Sequence, residues 1–89
     1  MKKFARSTAI LVISVEQQYA LVELTNEPKL IWSDIANLSV HAESTDPNET
    51  YALHLSKGSV SFRRIGEDSR GSSLWSIERS SQEISVDAV

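Results

Sequence analysis

The chain has 89 residues and a mass of 9.9 kDa, so it has room for one hydrophobic core. We expect one small β-rich domain over residues 1–89, with fraying at residues 1–6 and 85–89. The 12 acidic and 9 basic residues give a net charge of −3, which argues against a general nucleic-acid-binding protein, because such domains are usually basic. Cysteine is absent, which excludes disulfides, thiolate nucleophiles and cysteine metal sites.

The N-terminal region joins basic residues to a short apolar run. Lys2, Lys3 and Arg6 precede A-I-L-V-I-S-V at residues 9–15, an order that is also found at the start of secretory signals. The run is far shorter than the roughly 20 apolar residues of a membrane span, and no small-x-small cleavage pattern follows it. Successive apolar residues are typical of a strand that is buried on both faces. We therefore expect a central strand over Thr8–Val15, no membrane span and a cytoplasmic location.

Polar breaks divide the next part of the chain into short apolar segments. A polar turn at residues 16–18 separates the first strand from a second strand at 19–24. Residues 25–28 form a clear break, because the proline at its end has no backbone N–H for a sheet and restricts the residue before it. Apolar sequence restarts at residues 30–32, where we expect a third strand.

Residues 33–38 fit two structures. As a short helix, Ser33 would cap the N-terminus, with Ile35 and Leu38 on one side. As a strand, residues 36–42 alternate apolar with polar side chains. We expect the third strand to end at about residue 32, with at most one helical turn after it. A fourth strand at 38–42 and a loop at 43–49 follow.

The segment from Tyr51 to Ile65 predicts a β-hairpin. Two alternating stretches flank the turn at residues 56–59, where Gly58 supplies a backbone conformation that other residues avoid. Pairing Leu53 and Leu55 with residues 60–62 would create one half-buried face. A polar loop at 65–73 follows.

The C-terminal region again fits two structures. Residues 74–78 alternate as a strand does, which we favour, whereas Leu74, Ile77 and Ile84 follow helical spacing over 74–84. The apolar residues at 84, 86 and 88 fit an edge strand, a tail that docks on a second subunit, or an unpaired tail. The fold class is therefore mainly β, with a β-rich α+β fold as the alternative: a single small antiparallel sheet or half-barrel with at most one or two short helices.

No pattern of catalytic residues emerges. His41 and His54, with Glu43 nearby, lack a third metal ligand at a diagnostic spacing. Asp34 and Glu43 can be drawn as an acid–base pair, but a chain with 12 carboxylates offers many such pairs. No serine lies in a nucleophile-elbow pattern, and the glycines at 66–71 lack the phosphate-binding motifs. We expect no enzyme activity and no cofactor or metal.

Binding is the better-supported class of function. Basic residues follow one another through the hairpin and its loop, although neighbours on a strand point to opposite faces, so Arg63 and Arg64 are not expected on one surface. Both tryptophans fit a core, and an exposed one would be the candidate centre of an interface. We expect a non-catalytic protein-interaction or adaptor domain that self-associates; the alternative is a binder of an anionic ligand or nucleic acid through the basic residues of 57–70. The candidate partner-binding residues are Lys57, Arg63, Arg64, Arg70, Trp32 and Trp75.

Overall fold

The computed structural model describes residues 3–6 (backbone only), 9–43 and 50–89. These residues form nine strands and no helix. The strands are β1 (Lys3–Arg6), β2 (Ala9–Val15), β3 (Gln18–Leu24), β4 (Pro28–Ser33), β5 (Val40–Ala42), β6 (Thr50–Leu55), β7 (Gly58–Glu67), β8 (Ser73–Arg79) and β9 (Ser85–Ala88). All their pairings are antiparallel, which confirms the mainly β fold class. None of the described residues belongs to a helix that is long and apolar enough to cross a membrane.

The strands divide into two sheets where the sequence predicted a single sheet or half-barrel. A five-stranded sheet has the order β1-β8-β7-β6-β5, and a four-stranded sheet has the order β4-β3-β2-β9. One buried cluster combines side chains of both: Leu11 and Val22 come from the four-stranded sheet, and Leu53, Phe62 and Trp75 from the five-stranded sheet. Two sheets form because each has one apolar face that is buried against the other. Each sheet therefore also has an outer face.

Strand β2 is interior in its sheet, as predicted, but only one of its faces lies in the core. Leu11, Ile13 and Val15 are buried, whereas Ile10 is 36% exposed and Val12 is half-buried. The expectation of burial on both faces is corrected, because no second layer of the described chain covers the outer face of this sheet.

The predicted hairpin is confirmed in the described residues. Leu53 lies opposite Val60, and Tyr51 lies opposite Phe62. The strands turn at residues 56–57, and Gly58 adopts a φ of 143°. Leu55 pairs with Gly58, so the register differs slightly from the pairing of Leu55 with residues 60–62 that the sequence predicted.

The two ambiguous segments are resolved without a helix. Residues 34–37 form bends and a turn, in which Asn37 adopts a left-handed φ of 58°. Residues 73–79 are extended in β8. The C-terminal residues form edge strand β9, which pairs with β2 of the same chain, so the edge-strand alternative applies and not the tail on a second subunit. Residues 44–49 of the predicted loop lie outside the described residues.

Candidate functional site

The outer face of the four-stranded sheet has an apolar centre. Val12 of β2 lies opposite Leu21 of β3, and Leu21 lies opposite Trp32 of β4. These three side chains, the apolar row, cross three strands side by side. Val12 and Leu21 are half-buried, and Trp32 is 51% exposed at the end of the row. The row is continuous apolar surface that no described residue of the chain covers.

Further apolar side chains extend this surface. Tyr19 and Ile10 belong to the outer-face positions of β3 and β2, on either side of the row along the strands. Ile31 is the extra residue of a β-bulge in β4, between the pairs Leu21–Trp32 and Val22–Leu30. All three are at least about a third exposed. A contiguous group of this kind marks interaction surfaces more often than scattered single residues do.

Charged residues lie at both ends of β4. Lys29 pairs in register with Glu23, but no ion pair within 4.0 Å joins Lys29 to a described residue. Asp34 follows the other end of the strand and lies beside Tyr19: its Oδ1 accepts a hydrogen bond of 2.6 Å from the Tyr19 N–H, and its own N–H donates to the Tyr19 carbonyl at 3.1 Å. The row therefore has Lys29 and Glu23 on one side, Asp34 on the other, and Asp87 at its β9 end.

The edges of the sheets are poorly suited to strand addition. Strand β4 begins with Pro28, which has no N–H, and contains the bulge at Ile31. On the opposite edge of the sheet, β9 has four residues, and edge strand β5 of the other sheet has three. A partner is therefore more easily accommodated by a face than by an edge.

The outer face of the five-stranded sheet is polar, in contrast. Thr50, Arg63 and Ser76 form one row across β6, β7 and β8, and Ser61 and Glu78 pair in the next row. These five residues line a shallow hollow of about 220 Å³. Because three of these five described side chains are small and hydroxylated, the hollow can accept polar groups.

The two histidines lie on this polar face but in separate contacts. Nε2 of His54 lies 3.0 Å from Oε1 of Glu43, and Nε2 of His41 lies 2.7 Å from the hydroxyl of Ser39. Asp34 is engaged with Tyr19 on the other sheet, so it is not paired with Glu43. Among the described residues no group of three or more His, Cys, Asp or Glu could hold a metal ion.

The four basic candidates do not share one surface. Lys57 lies in the β6–β7 turn, with its Nζ 3.3 Å from Glu16 and 3.9 Å from Glu83. Arg64 pairs with Glu67 at 3.0 Å. Arg63 belongs to the outer face and Arg64 to the opposite face of β7, in line with strand alternation.

Arg70 lies apart from the other three, in the loop that follows β7. Lys57 and Arg64 are seven positions apart in sequence, which corresponds to roughly 23 Å along an extended strand. The basic residues of the hairpin and its loop are therefore distributed over several sites, of which the polar hollow contains one.

The two tryptophans have opposite environments. Trp75 is fully buried, its indole N–H donates to the carbonyl of Thr25 at 2.9 Å, and its ring meets Tyr51 edge-on with centroids 5.7 Å apart. It therefore stabilises the core and presents no surface to a partner. Trp32 is the exposed tryptophan. The sequence predicts that an exposed tryptophan is the candidate centre of an interface, so Trp32 is that candidate.

Sequence reasoning missed the rest of the apolar row. The available signal was alternation: Ile10 and Val12 alternate with the core residues of β2, and Leu21 alternates with the core residues of β3.

Comparison of this chain with family models, curated proteins and solved structures finds no match, so the site is defined by its own geometry.

Proposed function

We propose that this protein is a non-catalytic protein-interaction domain that self-associates through the outer face of its four-stranded sheet. The observation that carries the proposal is the apolar row Val12–Leu21–Trp32, which lies in register across three strands and is left uncovered by the described chain. Burying such a surface is favourable by about 25 cal/mol per Å² of apolar area. We place this function in the cytoplasm, because small secreted domains are usually stabilised by several disulfides and this chain has no cysteine.

The arrangement of charges around the row supports a second copy as the partner. A symmetric dimer brings the same patch of both copies together, so that the patch must be complementary to itself. If the two-fold axis runs along the apolar row, the row of one copy packs against the row of the other copy. Lys29 of each copy then faces Asp34 of the other copy, because the two residues lie on opposite sides of Trp32. Two equivalent contacts between opposite charges result, whereas the Asp87 carboxylates at the β9 end of the row come opposite each other and weaken the dimer.

The size of the face supports a weak dimer. Four strands spaced about 4.8 Å apart, each with six or so residues, cover roughly 20 Å by 20 Å. Two copies would bury on the order of 1,000 Å², which is near the lower limit for a specific complex. We therefore expect an equilibrium between monomer and dimer that shifts with concentration, not an obligate dimer.

Sedimentation velocity over a wide concentration range tests the proposal. The mass should rise from 9.9 kDa towards twice that value as the concentration increases. Lys29→Glu should weaken the dimer roughly tenfold or more, since it places carboxylates opposite each other, whereas Lys29→Arg should leave it within about twofold. A mass of one chain at every concentration would refute self-association. A dimer that is insensitive to Lys29→Glu would refute the arrangement along the row.

A further inference from the structure

We propose that the hollow on the outer face of the five-stranded sheet, the Arg63 hollow, binds the carboxylate group of a small organic ligand. Its lining residues are Thr50, Ser61, Arg63, Ser76 and Glu78. This site lies on the other sheet from the apolar row, so it does not depend on self-association.

The hollow exists because small side chains lie at the middle of the sheet. Ser61 pairs with Ala52 on one side and with Glu78 on the other, and Ser76 lies opposite Arg63. Ala52 and Ser76 are both buried. Short side chains on adjacent central strands leave a depression, and Arg63 is among the residues that line it.

The polar groups of the hollow suit an oxyanion. The side chain of Arg63 has no ion pair or hydrogen bond with a described residue, in contrast to Arg64, which pairs with Glu67, and Arg79, which donates to the Ile84 carbonyl. A guanidinium offers two parallel N–H groups to a carboxylate, and this fork geometry makes such pairs strong.

Hydroxyl groups complete the donor set. Those of Thr50, Ser61 and Ser76 make no side-chain hydrogen bond within the described part of the chain. Each can donate one hydrogen bond and rotate to suit its acceptor. Two of them lie in the same cross-strand row as Arg63, so guanidinium and hydroxyls approach a bound group from adjacent strands.

Charge and size select the carboxylate over a phosphate. Glu78 contributes a carboxyl group to the lining, and a ligand with two negative charges is repelled by it more strongly than a ligand with one. The volume of about 220 Å³ is below the usual 300–1,000 Å³ of a ligand pocket, so it holds one small group. Binding in the millimolar range is expected, which corresponds to roughly 4 kcal/mol.

Titration followed by two-dimensional ¹H–¹⁵N NMR tests this site, with sodium acetate as the probe at fixed pH and ionic strength. Saturable shifts should appear in the amides of Thr50, Ser61, Arg63 and Ser76. Arg63→Gln should abolish saturation while keeping the dispersed spectrum of the folded protein. Arg70→Gln is the matched control, because it removes an equal charge from a loop outside the hollow, and it should bind acetate as the parent does.

Three outcomes would overturn the proposal. Shifts that grow linearly without saturation, or that persist in Arg63→Gln, would show non-specific ion effects only. Tighter binding of inorganic phosphate than of acetate would refute the choice of carboxylate. The titration is done at a concentration at which sedimentation shows a monomer, so a negative result here and a failure of self-association are told apart.

Discussion

The indole N–H of Trp75 donates a hydrogen bond of 2.9 Å to the backbone carbonyl of Thr25, which is 50 positions away in sequence. The bond joins β8 of the five-stranded sheet to the turn before β4 of the four-stranded sheet. Because β4 carries Trp32, this core contact also helps to hold the outer apolar face in place. Buried Trp75 thus helps to hold β4, the strand that carries exposed Trp32.

Trp75→Phe tests this contact. The variant loses the hydrogen bond and leaves space in a fully buried site, so we expect the free energy of unfolding to fall by about 2–3 kcal/mol. Urea denaturation measures the change. Trp32→Phe is the control and should change stability by less than about 0.5 kcal/mol, because that ring is half exposed. Equal losses in the two variants would contradict the difference in burial.

Gly58 is predicted to be intolerant of any side chain. A Cβ at this position would lie 2.6 Å from the hydroxyl oxygen of Ser80 and 3.2 Å from Cδ1 of Ile84, in a backbone conformation with a φ of 143°. Gly58→Ala should therefore destabilise the protein by at least about 2 kcal/mol, from backbone strain together with overpacking.

Gly66→Ala is the matched control for this variant. Gly66 has a similar φ of 150°, but a Cβ there would meet no atom of the described residues within 4 Å, apart from its chain neighbours. It should therefore show only the cost of the backbone conformation, about 1 kcal/mol. Thermal and urea unfolding of both variants separate the two contributions. Equal destabilisation would refute the close approach of residues 80–84 to the β6–β7 turn.

The turn between β2 and β3 offers a stabilising change. Glu16 and Gln17 both adopt left-handed conformations, with φ values of 51° and 63°, in a two-residue hairpin turn that usually favours Asn-Gly. Gln17→Gly removes the strain of one residue and should raise the free energy of unfolding by about 0.5–1 kcal/mol, after allowance for the greater freedom of glycine in the unfolded chain. Gln18→Gly, in β3, should instead lower it. A loss of stability in Gln17→Gly would contradict the left-handed turn.

Local signals were sufficient to predict the hairpin and the separation of Arg63 from Arg64, and they favoured a strand at 74–78 over a helix. In each case, alternation along a few residues decides which side chains share a face, and Gly58 marks the turn. The turn at Glu16 and Gln17 was expected from polarity alone, since it has neither glycine nor asparagine. Its left-handed geometry arises because the paired strands, held by the core, impose it.

The two-sheet arrangement and the apolar row could not be predicted in the same way. Ile10 and Val12 alternate with Leu11 and Ile13, and that pattern is the same whether the second face is covered by the chain's own core or by another molecule. The sequence therefore predicted burial on both faces, and the fold leaves the outer one open. The hollow around Arg63 forms because small residues of three neighbouring strands lie side by side. This alignment depends on the pairing register of the strands, which the local sequence pattern does not specify.

Self-association through the apolar row is tested most directly by sedimentation velocity of Trp32→Ser beside Ile65→Ser. Both side chains are equally exposed, at 51% and 50%, but Ile65 lies in the bulge of β7 on the other sheet. We expect Trp32→Ser to remain a monomer at concentrations at which the parent and Ile65→Ser form dimers, with folding unchanged by circular dichroism. A dimer that survives Trp32→Ser undiminished, or one that Ile65→Ser weakens as much, would contradict the proposed interface.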